Sequence, residues 1–136
     1  MPRTTSFVTR PPFVADAHSI DRSTGRQIDW TQITATNADG KKFLVAGTVV
    51  GELAGAGRVG PRVATTNPAI GILETDAVQD EGFAALTGYG VIKGGILYEN
   101  LLPDATGTPK TLAAATKTEL NAAGNGFSFE QYGDSR

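Results

Sequence analysis

The sequence predicts a mostly β, α+β domain of short strands with one late helix, and three observations predict it. From position 28 onward, apolar residues come as short runs or strict alternation rather than at sustained helical spacing. Seventeen glycines and seven prolines supply the punctuation that many tight turns need. Only the stretch from Thr108 to Gly124 carries a helix start, an apolar arc and a helix stop in that order. A chain of 136 residues suits one domain and can bury roughly 70% of its unfolded surface without covalent staples.

Residues 1–27 are set apart by composition. Thr4, Thr5, Ser6, Thr9, Ser19, Ser23 and Thr24 are interspersed with Arg3, Arg10, Arg22 and Arg26, and only Asp16 and Asp21 oppose those charges. Pro11-Pro12 favours extended backbone, and two apolar pairs, Phe7-Val8 and Phe13-Val14, flank it. Two readings stay open, a solvated tail or an arm that orders on a partner. The apolar pairs are what the second reading needs. The expected boundaries are an extended arm over 1–27, a β-rich domain over 28–130 and a flexible end over 131–136.

Within the domain, Ile28 and Trp30 alternate with Asp29 and Thr31 as a short half-buried strand, and Asn37 to Gly40 is a turn cluster. Phe43 to Val50 is almost continuously apolar, which predicts a strand covered on both faces with Gly47 at a bulge or close-packing point. Val59, Pro61 and Val63 alternate with Arg58, Gly60 and Arg62. The proline assigns this strand to a sheet edge and makes Arg58 and Arg62, on one face, a candidate interface. Ile70, Ile72 and Leu73 form another run, and Tyr89 to Leu102 is the last long one, with a bend or bulge at Gly94-Gly95. For the helix, Thr108 can cap, Pro109 suits the first position and Gly124 the stop. Leu112, Thr116, Leu120 and Ala123 share an arc of about 100°. Only two of these are large, so the helix is expected to dock lightly. Phe127 and Phe129 alternate with Ser128 and Glu130 in a closing strand, bringing the total to five or six strands.

Composition excludes much chemistry. There is no cysteine, hence no disulfide, thiolate metal site or thiol nucleophile, and one histidine leaves little for acid–base machinery. A net charge of −2 lacks the basic excess of a nucleic-acid binder, and no apolar run approaches the roughly 20 residues that span a bilayer. Gly55-Ala56-Gly57-Arg58-Val59-Gly60 fits the dinucleotide-loop pattern, yet Pro61 and β-like alternation follow where that loop requires a helix. His18 sits in the arm, where a catalytic triad could not be held rigidly. Glu74 with Asp76, and Asp80 with Glu81, read as solvated acids, since neither pair has the ligand number of a calcium loop. Trp30, Phe43, Tyr89 and Tyr98 read as core. No catalytic, cofactor or metal residue is assigned, and an enzyme is not expected.

Several segments in succession resemble the phage head decoration (capsid-stabilising) proteins of the lambda gpD-like group. Phe43 to Leu53 (FLVAGTVVGEL) is similar to the opening strand of that family, and Ala69 to Ala77 (AIGILETDA) to its strand with a Gly-Ile-Leu core. Gly88 to Leu97 (GYGVIKGGIL), Asn100 to Pro103 (NLLP) and Leu112 to Phe129 resemble its later strand, link and closing helix–strand. The likeness covers about 43–130 in the family's order; the Asn125-Gly126 loop and the long region 1–42 depart from it. The resemblance implies a small β-barrel-like (β-tulip type) domain with one C-terminal helix and an extended N-terminal arm. It also implies a structural virion protein, made in the host cytoplasm, on the outer surface of an expanded capsid. There it cements neighbouring major capsid protein subunits against DNA pressure as a homotrimer, with no cofactor, nucleic acid or membrane partner. The arm's Phe7, Val8, Arg10, Phe13 and Val14 are then the capsid-contact candidates. Its deletion over 1–27 is expected to spare folding. A small β-rich glycan- or ligand-binding accessory module is the alternative.

Overall fold

The computed structural model describes residues 12–23, 25–52, 57–63, 66–79, 88–122 and 125–133. Nine strands and one α-helix are present among them. The strands are β1 (Asp21–Arg22), β2 (Gln27–Ile28), β3 (Phe43–Leu44), β4 (Val49–Glu52), β5 (Arg58–Pro61), β6 (Ala69–Leu73), β7 (Ala77–Val78), β8 (Val91–Tyr98) and β9 (Phe127–Glu130); the helix, α1, is Ala114–Ala122. The main sheet has seven strands in the order β1-β8-β6-β4-β5-β2, with β9 pairing β8 off that path, and β3 pairs β7 in a second small sheet. The mostly β, α+β class therefore holds. The sheet is not closed into a barrel, because its path ends at β1 and β2.

Burial on both faces of the central strands explains their continuous apolar runs. Val49, Ile72 and Ile92 join Phe13, Val14, Leu97, Leu102, Leu112, Leu120 and Phe127 in one cluster, under α1. Their neighbours Val50, Leu73 and Val91 join Ile28, Ile33, Leu44, Val59, Ala77 and Tyr89 in a second cluster on the opposite face. Each fully buried side chain of this size contributes about 1.5–3 kcal/mol relative to exposure. Tyr89 keeps its hydroxyl satisfied by donating to the Val78 carbonyl at 3.1 Å. The sheet permits such close layering because Gly51 and Gly71 lack side chains. A Cβ on Gly71 would collide with Val91 and the Ile92 carbonyl, and one on Gly51 with the Asn67 backbone.

Several expectations about single elements are corrected. Phe43 to Val50 is not one strand: β3 ends at Leu44, and Gly47, at φ +91°, turns the chain into β4. Trp30 leaves the strand path because the Asp29 carboxylate accepts from the Thr31 N–H and caps a 3-10 turn over Trp30–Gln32. The strand of Pro61, β5, is not an edge strand, since β2 lies beyond it. The proline is tolerated because β2 covers only Arg58 and Val59, while the Arg62 N–H donates to Val49 at 2.9 Å. The proline nitrogen, one residue earlier, thus faces the side where β2 has ended. Finally, α1 starts at Ala114 rather than Pro109; Thr108 and Pro109 lie in a turn bracketed by the Thr106–Thr111 bridge.

The largest correction concerns the boundary at residue 27. From Phe13 onward the segment runs antiparallel along β8. The Tyr98 N–H donates to the Phe13 carbonyl at 2.7 Å, the Ala15 N–H to Ile96 at 3.0 Å, and the Ser23 N–H to Val91 at 2.8 Å. Phe13 is 2% exposed and Val14 4%. Residues 13–28 are part of the domain, so deletion of 1–27 would remove core and sheet together. Only 1–11 and Thr24 lie outside the described residues of this region.

Candidate functional site: the apolar end of the sheet

Four large apolar side chains are exposed among the described residues, Val45, Val63, Leu101 and Tyr132, and two of them flank the end of β8: Leu101 in the 3-10 turn that follows it and Tyr132 against Tyr98. The Gly47 turn packs closely against the segment after β8: a Cβ there would meet Pro103 Cδ at 2.8 Å and the Phe13 ring at 3.1 Å. Val45 sits two residues before that glycine, and Leu101 two residues before that proline, in the 3-10 turn Glu99–Leu101. Pro12, also exposed, precedes Phe13, whose carbonyl accepts from the Tyr98 N–H at this same end of β8.

Tyr132 is held in place although it lies outside any strand. Asn100 Nδ2 donates to the Tyr132 carbonyl at 3.0 Å, and the Tyr132 N–H donates to Asn100 Oδ1 at 2.9 Å. Its ring meets Tyr98 edge-on at 5.1 Å between centroids, while the residue stays 59% exposed. An aromatic side chain fixed in advance and left in water is the kind of anchor that dominates binding energies, because little conformational entropy remains to be lost on docking.

The scaffold beneath this end is tied by carboxylates. Buried Glu99 accepts from the Leu112 N–H at 2.5 Å and pairs with Lys117 at 2.8 Å, and that ammonium lies over the Phe129 ring at 5.6 Å. Asp104 accepts from the Val49 N–H at 2.6 Å. On the far side of α1, Glu119 grips Arg62 through Nε at 2.8 Å and Nη2 at 2.9 Å, and it also accepts from the Ala69 N–H at 2.9 Å. The Arg62 bond, then the Ala69 bond, hold the Glu119 carboxyl down at about 2, and the same pair raises Arg62.

The sequence candidates fall out as follows. Phe7, Val8 and Arg10 lie outside the described residues. Phe13 and Val14 serve the core, so in this fold they are not free to contact a partner. Arg58 is exposed, whereas Arg62 is spent on Glu119, so the pair does not form a two-arginine face. Of the glycine motif, Gly57 has φ +68° and leads into a strand rather than a helix, with Gly60 buried inside β5. His18 is exposed in a 3-10 turn over Ala17–Ser19, where its N–H donates to Asp16. Glu74 pairs with Arg22 at 2.7 Å, and Asp76 accepts from the Ala46 N–H at 2.7 Å, so both acids have structural partners. Among the described residues, no group of three or more His, Asp or Glu is placed to hold a metal ion, and no helix is long and apolar enough to cross a membrane.

Sequence reading missed Tyr132, which was assigned to a frayed end, and its partner Asn100. Their pairing over 32 positions leaves no periodic signal, although an aromatic near an otherwise polar terminus was visible. The arrangement as a whole is suited to docking: an apolar, partly preorganised rim over a rigid carboxylate-tied base. No protein-family model and no curated protein matches this chain.

Proposed function

We propose that the protein is a structural virion component that binds the outside of an expanded phage capsid and cements neighbouring major capsid protein subunits. The observation that carries this reading is the ordered succession of decoration-like segments over 43–130, from Phe43–Leu53 to Phe127–Phe129. The apolar end adds a location. In this reading Leu101 and Tyr132 face the shell, and Phe7, Val8 and Arg10 extend the contact along a capsid strand by β-augmentation. Modest contacts suffice if three copies engage together, because the second and third bind at high effective concentration.

The first test is whether a major capsid protein gene lies beside this one, and the second is co-sedimentation with undecorated shells built from that capsid protein. Binding to expanded shells but not to unexpanded ones is expected. Light scattering is expected to show a trimer, free or assembled on the shell. The paired change Leu101→Ala and Tyr132→Ala should weaken binding about 100-fold, from the loss of two apolar anchors. Failure to bind expanded shells, or a stable dimer, would overturn the reading.

A further inference from the structure

A cleft of about 280 Å³ opens between the ends of β4 and β5, the 104–113 loop and the first turn of α1, with neither Tyr132 nor Leu101 in its lining. Its walls include Val49, Pro61 and Leu112 on the apolar side and Arg62, Asp104 and Thr116 on the polar side. The polar groups are fixed by bonds that leave one end of each unused. Arg62 gives Nε and Nη2 to Glu119, so Nη1 remains. Asp104 gives Oδ2 to the Val49 N–H, so Oδ1 remains. Thr116, 5% exposed as a residue, lines the same cleft with its hydroxyl-bearing side chain.

We infer that this cleft is a binding site for a neutral, ring-sized polyhydroxy compound, a single sugar residue. Charge selects against ions: an anion would meet Asp104 with Glu119 behind Arg62, and a cation would meet Arg62. Hydroxyl groups suit the pattern because each can donate to the carboxylate and accept from the guanidinium or from Thr116. The C–H face of a sugar ring would lie on Val49, Pro61 and Leu112. The volume fits one ring rather than a drug-sized ligand. The donors and acceptors are already held by Glu119 and the Val49 N–H, so little ordering cost remains. This site is independent of shell binding.

The experiment is amide NMR on the full chain titrated separately with glucose, galactose and N-acetylglucosamine to about 50 mM, with N-methylacetamide as the comparison. At least one sugar should give saturable shifts at Thr106, Ala113 and Thr116 with a Kd of about 1–10 mM. Thr116→Val preserves shape and removes the hydroxyl, and it should weaken that binding about tenfold while amides outside the cleft keep their positions. If that variant disturbs the fold, Thr106→Val, at an exposed position lining the same cleft, should weaken binding about threefold. The assignment fails if no sugar gives saturable shifts, if N-methylacetamide alone binds, or if a folded Thr116→Val binds sugar as the parent does.

Discussion

The N-terminal segment and the C-terminal helix α1 are fastened to the same sheet by different chemistries. The N-terminal segment lies along β8 through backbone hydrogen bonds at Phe13, Ala15 and Ser23, and through reciprocal 2.8 Å bonds between Arg26 and Tyr89. The C-terminal helix has few large apolar side chains, Leu120 being the one fully buried, and is fastened by Glu119 to Arg62 and by Glu99 to Lys117. Backbone pairing is indifferent to protonation and to which side chains are present. Carboxylate ties depend on both. The first end should therefore respond to changes of shape, and the second to changes of pH.

The largest expected effect comes from the N-terminal side. Phe13→Ala empties a site that is 2% exposed and lies against the Gly47 turn, and should cost about 3–5 kcal/mol in urea unfolding. A cost near zero would mean that this segment is held by backbone bonds alone. Next is Gly95→Ala. Gly95 has φ +132°, and an added Cβ would come within 2.7 Å of Ile20 Cδ1 and 3.1 Å of the Ser19 carbonyl. Strain and collision together should cost about 2–3 kcal/mol. Its signature should be earlier hydrogen exchange at Ala15 and Ile96, with the amides of α1 unaffected.

These two positions also show what was legible beforehand. The central strands could be read because their apolar side chains repeat in short runs, and Gly94-Gly95 could be read as a bend because glycine marks one. The attachment of residues 13–23 could not be read, since it is made by N–H and C=O groups that every residue carries. Phe13 and Val14 were seen as an apolar pair, but sequence alone does not say whether such a pair faces the core or a partner. The start of α1 was misplaced for a related reason. Thr108-Pro109 is a good helix opening locally, yet Glu99, ten positions upstream, takes the Leu112 N–H and Thr106 bridges Thr111, so the helix begins later. Of the docking end, Leu101 lay within a recognised link, whereas Tyr132 depends on a partner 32 residues away.

The helix side of the comparison is sharpened by Glu119→Gln. The Glu119 carboxyl lies at about 2 instead of 4.5, because Arg62 and the Ala69 N–H favour its charged form. A depressed carboxyl stabilises the fold above its unfolded value, and that contribution is lost as pH falls from about 4.5 through about 2. Allowing for screening of a pair that is about one-fifth exposed, the amide should cost about 2 kcal/mol at pH 7. The gap between parent and variant should close on acidification, as followed by thermal melting from pH 7 to pH 2. Phe13→Ala should show no such closure. A Glu119→Gln deficit that stayed constant with pH would mean that the tie acts through packing rather than charge.

The smallest expected effect on stability is the most informative about function. Removing residues 1–11 leaves Phe13, Val14 and every backbone bond along β8 in place, so urea unfolding should change by less than about 0.5 kcal/mol. The same truncation removes Phe7, Val8 and Arg10, and in the proposed role it should weaken shell binding at least tenfold. The contrast with Phe13→Ala then divides the N-terminal region in two. Residues from Phe13 inward hold the domain together, and those before Pro12 work outside it. A truncated protein that melts well below the parent would move the boundary upstream and make Phe7-Val8 part of the core. One that keeps its stability and its full affinity for shells would leave Leu101 and Tyr132 to carry the docking alone, so that the binding strength would trace to the end of β8, where Asn100 holds Tyr132 in place.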